Sequence, residues 1–140
     1  MARIDDGHAT TIAFATSTFT LLFEKEVTPP GVSSGGANDT TVMANTVYRT
    51  MSPKSLISMT EMSFTAAFDI GVYSQAVAGV GINQSITITF PDGATLTFWG
   101  WMDEFTPNAF VEGSQPTADV TIIPSNQNAT LVETAPIYTP

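Results

Sequence analysis

Strict alternation of apolar and polar residues is the strongest pattern in the chain. From Ser85 to Phe90, the residues Ile86, Ile88 and Phe90 share one side, with Ser85, Thr87 and Thr89 on the other. After Pro91-Asp92-Gly93, which is strong turn chemistry, the alternation resumes from Thr95 to Met102, with Leu96, Phe98, Gly100 and Met102 on one side. A period of two marks a half-buried strand, and two such runs around a Gly-containing turn predict a β-hairpin. The second strand also carries Trp99 and Trp101 on its other face. One end of this hairpin is therefore apolar on both sides, and something must cover the indoles: the short helix described below, or a neighbouring subunit.

Weaker versions of the pattern occur elsewhere. Thr18 to Val27 reads as a strand with Phe19, Leu21, Phe23 and Val27 on one face and Thr18, Thr20, Glu24 and Glu26 on the other. It stops at Thr28-Pro29-Pro30-Gly31, and Val32 to Thr40 reads as a flexible loop by composition. The stretch 28–40 is long for a hairpin connection, where two to five residues are typical, so a partner-ordered loop is the functional reading. Thr41 to Met51 is a second strand candidate, with Met43, Val47 and Met51 on one face, broken by Ser52-Pro53-Lys54. In Leu56 to Phe68, Ile57 and Met59 fall on one face but Met62, Phe64, Ala66 and Phe68 on the opposite one, which predicts either a bulge near Thr60 or a strand covered on both sides.

Helical periodicity appears once. Tyr73, Ala76, Val77 and Val80 follow the i, i+3, i+4, i+7 spacing over Val72–Val80, with Asp69 placed to cap the start and Gly79 and Gly81 to end it. About two turns cannot hold alone, so this helix is expected to lay that face on a sheet. Phe105 to Pro116 reads as a connection, and Thr117 to Ile123 as a last strand. Residues 1–9 read as a loose arm, and residues 125–140 as an extended apolar tail lying on a surface. No internal repeat is visible. The whole predicts a single, mainly β domain over residues 1–140, with one short helix.

Composition sharpens this. Only 12% of the 140 residues are charged, and 22 are threonine, a β-branched residue suited to pleated, half-exposed strands. Thirteen acidic residues oppose four basic ones, for a net charge of −9. Arg3, Lys25, Arg49 and Lys54 are scattered, whereas a protein that grips nucleic acid or an anionic membrane clusters its cations. There is no cysteine, hence no disulfide or thiolate metal site. The start lacks the apolar core of a secretory signal, and no apolar run is long enough to span a membrane. These features read as a soluble, cytoplasmically made protein. The Asn-x-Ser/Thr triplets at Asn38, Asn83 and Asn128 are near chance frequency.

Catalytic chemistry finds no foothold. His8 is the lone histidine, so triads and His-rich metal sites would all depend on it. No Gly-x-Ser-x-Gly elbow occurs. Asp103 and Glu104, adjacent on a strand, point to opposite faces. Gly79-Val80-Gly81 would end a helix rather than cradle a phosphate. Trp99 and Trp101 suit sugar stacking, which keeps a glycan-binding β-sandwich open as an alternative. No cofactor is expected.

One stretch resembles a known family. From Ile86 to Asn126 the chain is similar to the C-terminal half of the tail tube (major tail) proteins of long, non-contractile-tailed bacteriophages. The likeness rests on the aromatic-Gly-aromatic strand end at Trp99-Gly100-Trp101 and on the Gly113 to Ile122 stretch, which holds Gln115-Pro116-Thr117-Ala118. It covers under a third of the chain. The resemblance implies a β-sandwich or barrel flanked by one helix, forming hexameric rings that stack into a tube. Such a tube conducts phage DNA without binding it and is filled by a tape-measure protein alongside other tail proteins. It implies a virion protein assembled in the host cytoplasm, with no membrane partner. An acidic lumen agrees with the charge, because like charge repels phosphate. Within this frame the expected inter-subunit contacts are Val32, Asn38, Trp99, Trp101, Ile137 and Tyr138, and the expected lumen-facing acids are Glu24 and Glu61. The alternative virion roles are tail completion and head decoration.

Overall fold

The computed structural model describes residues 10–15, 23–68 and 70–140. The expected N-terminal arm (1–9, with His8), the Thr18–Leu22 part of the first predicted strand, and Asp69 lie outside the described residues.

The body of the molecule is one curled antiparallel sheet with a helix on its core side. In chain order the strands of this sheet are β1 (Thr11–Phe14), β2 (Phe23–Thr28), β7 (Met62–Ala67), β8 (Gln84–Thr89), β9 (Thr95–Pro107), β10 (Thr117–Pro124) and β11 (Ile137–Thr139). The hydrogen-bonded order is β1-β8-β9-β10-β7-β2, with β11 added alongside β9. Ile12, Met62, Phe64, Ala66, Ile86, Ile88, Phe98, Met102, Val120 and Ile122 form the buried core. Each is an alternate residue of its strand, so period-two patterning places them all on one side. The opposite side is threonine-rich. Thr87 and Thr97 stand directly opposite one another there, with hydroxyls 3.2 Å apart.

The hairpin β8–β9 forms as the alternation predicts, Ile86 facing Phe98 and Ile88 facing Leu96. Its turn is closed by Phe90 N–H donating to Ala94 O and Gly93 N–H donating to Phe90 O, while the Asp92 carboxylate accepts from Ala94 N–H. Gly93 has φ +91°, a conformation costly for any residue with a Cβ.

β9 is longer than expected, because it takes in Phe105, Thr106 and Pro107. A bulge makes this possible. Thr121 pairs with Glu104 but Ile122 with Met102, leaving Asp103 as the extra residue. The inserted residue shifts the parity, so both Met102 and Phe105 pack on the core side. It also breaks the strict alternation that set Asp103 and Glu104 on opposite faces; both are exposed. A second register shift lies in β2, where Glu24 pairs with Ala66 and Glu26 with Thr65.

The helix α1 (Ile70–Gly79) forms where the periodicity placed it, but its buried face differs from the expected one. Ala76 is buried at 1% exposure, while Tyr73, Val77 and Val80 are 50%, 68% and 43% exposed. The reason is steric. The sheet admits the helix through small residues, Ala76 and Gly79, which permit close approach. Val77 and Val80 are left exposed, and Tyr73 turns to the side, against Phe68 and Phe105. Gly81, with φ +81°, ends the helix, and its N–H donates to Met102 O, tying the helix end to β9.

The largest departure from expectation lies between β2 and β7. Val32 to Thr40 is not an unstructured loop. It contains β3 (Val32–Ser33) and β4 (Ala37–Asp39), which pair with β6 (Ser58–Met59) and β5 (Met51–Pro53) respectively. The predicted strand over Thr41–Met51 is instead the tip of this arm, and Pro53, expected to break a strand, lies in one. The expected irregularity at Thr60 is present: β6 and β7 are separated there, Thr60 N–H donates to Gly31 O, and Gly31 N–H donates to the Thr60 hydroxyl.

Candidate assembly surfaces

The arm over residues 29–60 is an irregular two-stranded ribbon that continues the β2–β7 hairpin away from the body. β3 and β6 pair only with each other, as do β4 and β5. Its tip is organised by Asn45. The Asn45 side-chain oxygen accepts from Val42 N–H at 2.9 Å, its N–H donates to Val42 O, and its amide nitrogen donates to Tyr48 O at 2.9 Å. Below the tip, Thr40 N–H donates to Thr50 O, and Arg49 Nη1 meets Asp39 Oδ2 at 3.0 Å. Hydrogen bonds from Thr41 hold the Asp39 carboxyl below the usual carboxylate range, with Arg49 adding to the effect. This ion pair is solvent-exposed, so it orients more than it stabilises.

The arm is polar in its backbone clasps and apolar at its surface. Val32, Val42, Met43, Val47, Tyr48, Met51, Leu56 and Ile57 are all exposed, Met43 fully. Single exposed apolar residues are ordinary, but so many on one projecting ribbon mark an interaction surface.

A second apolar surface surrounds the helix. Phe68 packs against Tyr73, Phe105 and Phe110 with ring centroids 6.5, 6.1 and 5.6 Å apart, and Tyr73 meets Phe105 at 6.3 Å. Beside them runs a groove of about 290 Å³ lined by Tyr73, Ala76, Val77, Val80 and the Glu104–Thr106 strand segment. Phe110 and Val111 on the following loop are exposed as well. A helix with no charged residue and apolar groups all round normally has cover on every side.

The expected contact residues fall into two groups. Val32 and Asn38 sit on the exposed arm, in β3 and β4. Trp99 and Trp101 lie on β9 and Ile137 and Tyr138 on β11, which pairs with it; Ile137, opposite Thr97, shares the face of the indoles, while Tyr138, opposite Leu96, falls on the other face. The tail is therefore laid on the sheet, as its apolar character suggested, and Ile137 and Tyr138 are each 60% exposed. Both indoles are half-buried. They alternate with Phe98 and Met102, so they project from the face opposite to the one the helix covers. Gly100 between them is required by a close approach: an added Cβ would lie 2.6 Å from Ile123 O and 3.1 Å from Pro124 Cα.

Glu61 is exposed immediately before β7. The side chain of Glu24 lies outside the described residues. Asp119, which the sequence reading passed over, is exposed on β10; its carboxylate accepts from the Thr65 hydroxyl at 3.0 Å, and Thr65 also pairs with Glu26. An acidic residue on the polar side of an alternating strand was the available signal. Also missed were the tip residues Val42 and Tyr48, whose clue was Asn45 interrupting an apolar run, and the outward face of the helix. Among the described residues, no helix is long and apolar enough to cross a membrane, and no group of three or more His, Cys, Asp or Glu could hold a metal ion.

No protein-family model and no curated protein matches the chain. Its fold does match solved structures. A chain in the cryo-EM structure of the six-fold symmetrised anti-feeding prophage baseplate aligns over 89% of this chain and 94% of its own length, with TM-score 0.62 and 8% identity. A chain in the tail of an empty GTA particle, refined with C6 symmetry, aligns over 82% and 83%, with TM-score 0.52 and 11% identity. Among the described residues the fold is thus mainly β, a curled sheet with one short helix, and it is shared with chains in those two structures.

Proposed function

We propose that this chain is a structural subunit of a phage-like tail, assembling into hexameric rings that stack into the tail tube. The observation that carries the reading is the projecting arm, whose large apolar side chains have no cover among the described residues. The six-fold symmetry of both structural neighbours supports a ring, and the Trp-Gly-Trp and Gln-Pro-Thr-Ala stretches support the tube. Sequence-distinct patches on one chain make heterologous contacts, which close into rings or continue as stacks. In this reading a tape-measure protein and then DNA occupy the lumen. Thirteen acidic residues against four basic ones give the wall a charge that repels phosphate. Glu61, Glu26 and Asp119 are the lumen candidates among the described side chains, with Glu24 retained from the sequence.

Electron microscopy of the concentrated, purified protein tests this. Rings with a central hole, or hollow tubes, are the expected result. A protein that stays monomeric at high concentration contradicts it. The likeness to a baseplate chain favours one second reading, a terminal ring of the tail that does not polymerise. Isolated rings without tubes at any concentration would select that role.

A further inference from the structure

We infer that the arm tip of one copy seats in the helix groove of another, making these two apolar patches halves of one interface. This rests on the self-assembly proposed above and specifies its contact.

Three observations carry it. The first is chemical match. The tip offers Val42, Met43, Val47 and Tyr48, all exposed, and the groove offers Tyr73, Val77 and Val80, also exposed. Both patches are exposed among the described residues, and joining them removes apolar surface from water. The second is charge. The arm carries Arg49 and Lys54 against one carboxylate, Asp39, which Arg49 already engages. Residues 61–140 carry eight acidic residues and no lysine or arginine. An arm with surplus positive charge is attracted to a body of this sign and repels other arms less than two bodies repel each other. Such complementarity steers encounter and selects the arm–body pairing over the alternatives. The third is reach. The tip lies beyond two successive strand pairs, β3–β6 and β4–β5, neither of which joins the body sheet, so it stands off the body toward an adjacent subunit. A patch that meets a different patch on the next copy also generates a ring or stack, whereas tip-to-tip contact would close at a dimer.

The chain has no cysteine, so two introduced thiols report the contact without background. Met43→Cys and Val77→Cys are made in separate chains; both positions are exposed, so neither change disturbs the core. The two variants are mixed under assembly conditions and oxidised. The expected product is a disulfide-linked pair containing one chain of each variant, dominant over either homodimer and weakened at high salt. Three outcomes overturn the docking. If rings or tubes form by microscopy but the mixed pair does not appear, the contact is wrong while the tail reading stands. If Met43→Cys alone gives the dominant crosslink, the tips meet each other. If the unmodified chain forms no assembly, the tail reading and the docking fall together.

Discussion

At the scale of single residues, the constraints lie where backbones meet. Gly100 is the sharpest case. The Trp-Gly-Trp sequence puts a glycine where the end of β10 pairs tightly against β9, Pro124 opposite Gly100, and no side chain fits there. Because the obstructing atoms are backbone, they cannot rotate away. Gly100→Ala should cost about 2–3 kcal/mol, in the range of overpacked core substitutions. For a domain of this size that is a fall of roughly 5–10 °C in melting temperature, readable by circular dichroism. Asp39 supplies a pH test. Its carboxyl is held below the ordinary value in the folded arm, so the order it contributes is complete above the unfolded value of about 3.9 and is lost as pH falls through the lower folded value. The Thr41 amide resonance should hold steady from pH 7 down to about 5, and move only in more acidic solution. In Asp39→Asn that acid-range movement should be absent.

The elements differ in how far the sequence announces them. The β8–β9 hairpin was legible because one face is fully buried, and burial enforces strict alternation around Pro91-Asp92-Gly93. The Met62–Phe68 run was legible for the same reason. The arm was not, because apart from Met59 at its base its strands bury no side chain in the core: nothing compels Ala37-Asn38-Asp39 or Met51-Ser52-Pro53 to alternate, and the pairing is carried by backbone hydrogen bonds and threonine hydroxyls. The helix was legible as an element but its buried side was not. Periodicity finds the largest apolar stripe, whereas the sheet selected the smallest residues, Ala76 and Gly79. The bulges at Lys25 and Asp103 each change which side later residues take, and no local composition signals them. One prediction belongs to this scale. Residues 32–58 can be replaced by an Asn-Gly turn joining Gly31 to Met59, which keeps Met59 against the core and leaves Gly31 and Thr60, which already exchange hydrogen bonds, at the base. Shortening a loop changes chain entropy only slightly, so the body should remain folded within about 1 kcal/mol by urea denaturation. Loss of cooperative unfolding would show instead that the arm is part of the core.

For the whole molecule, the surfaces left over after folding are the informative ones. The polar side of the sheet carries the Thr87–Thr97 and Thr65–Asp119 hydroxyl contacts, and the tail is pinned along β9. Among the described residues the arm and the helix groove are the two apolar surfaces that stand out as exposed, with the Phe110–Val111 loop and parts of the tail beside them. The candidate contacts Val32, Asn38, Ile137 and Tyr138 are all at the surface, and the indoles of Trp99 and Trp101 lie half-buried on the face away from the helix. The residues at the arm tip became visible only once the ribbon was seen to project. A fold shared with components of two six-fold assemblies, combined with those uncovered surfaces, is why assembly is the central claim.

Sedimentation velocity on the intact chain and on the arm-replaced chain, over a range of concentrations, tests that claim most directly. The intact chain should pass from a 14.9 kDa monomer to ring-sized and larger species as concentration rises, while the arm-replaced chain stays monomeric. An intact chain that remains monomeric throughout, or an arm-replaced chain that assembles just as well, would contradict the account.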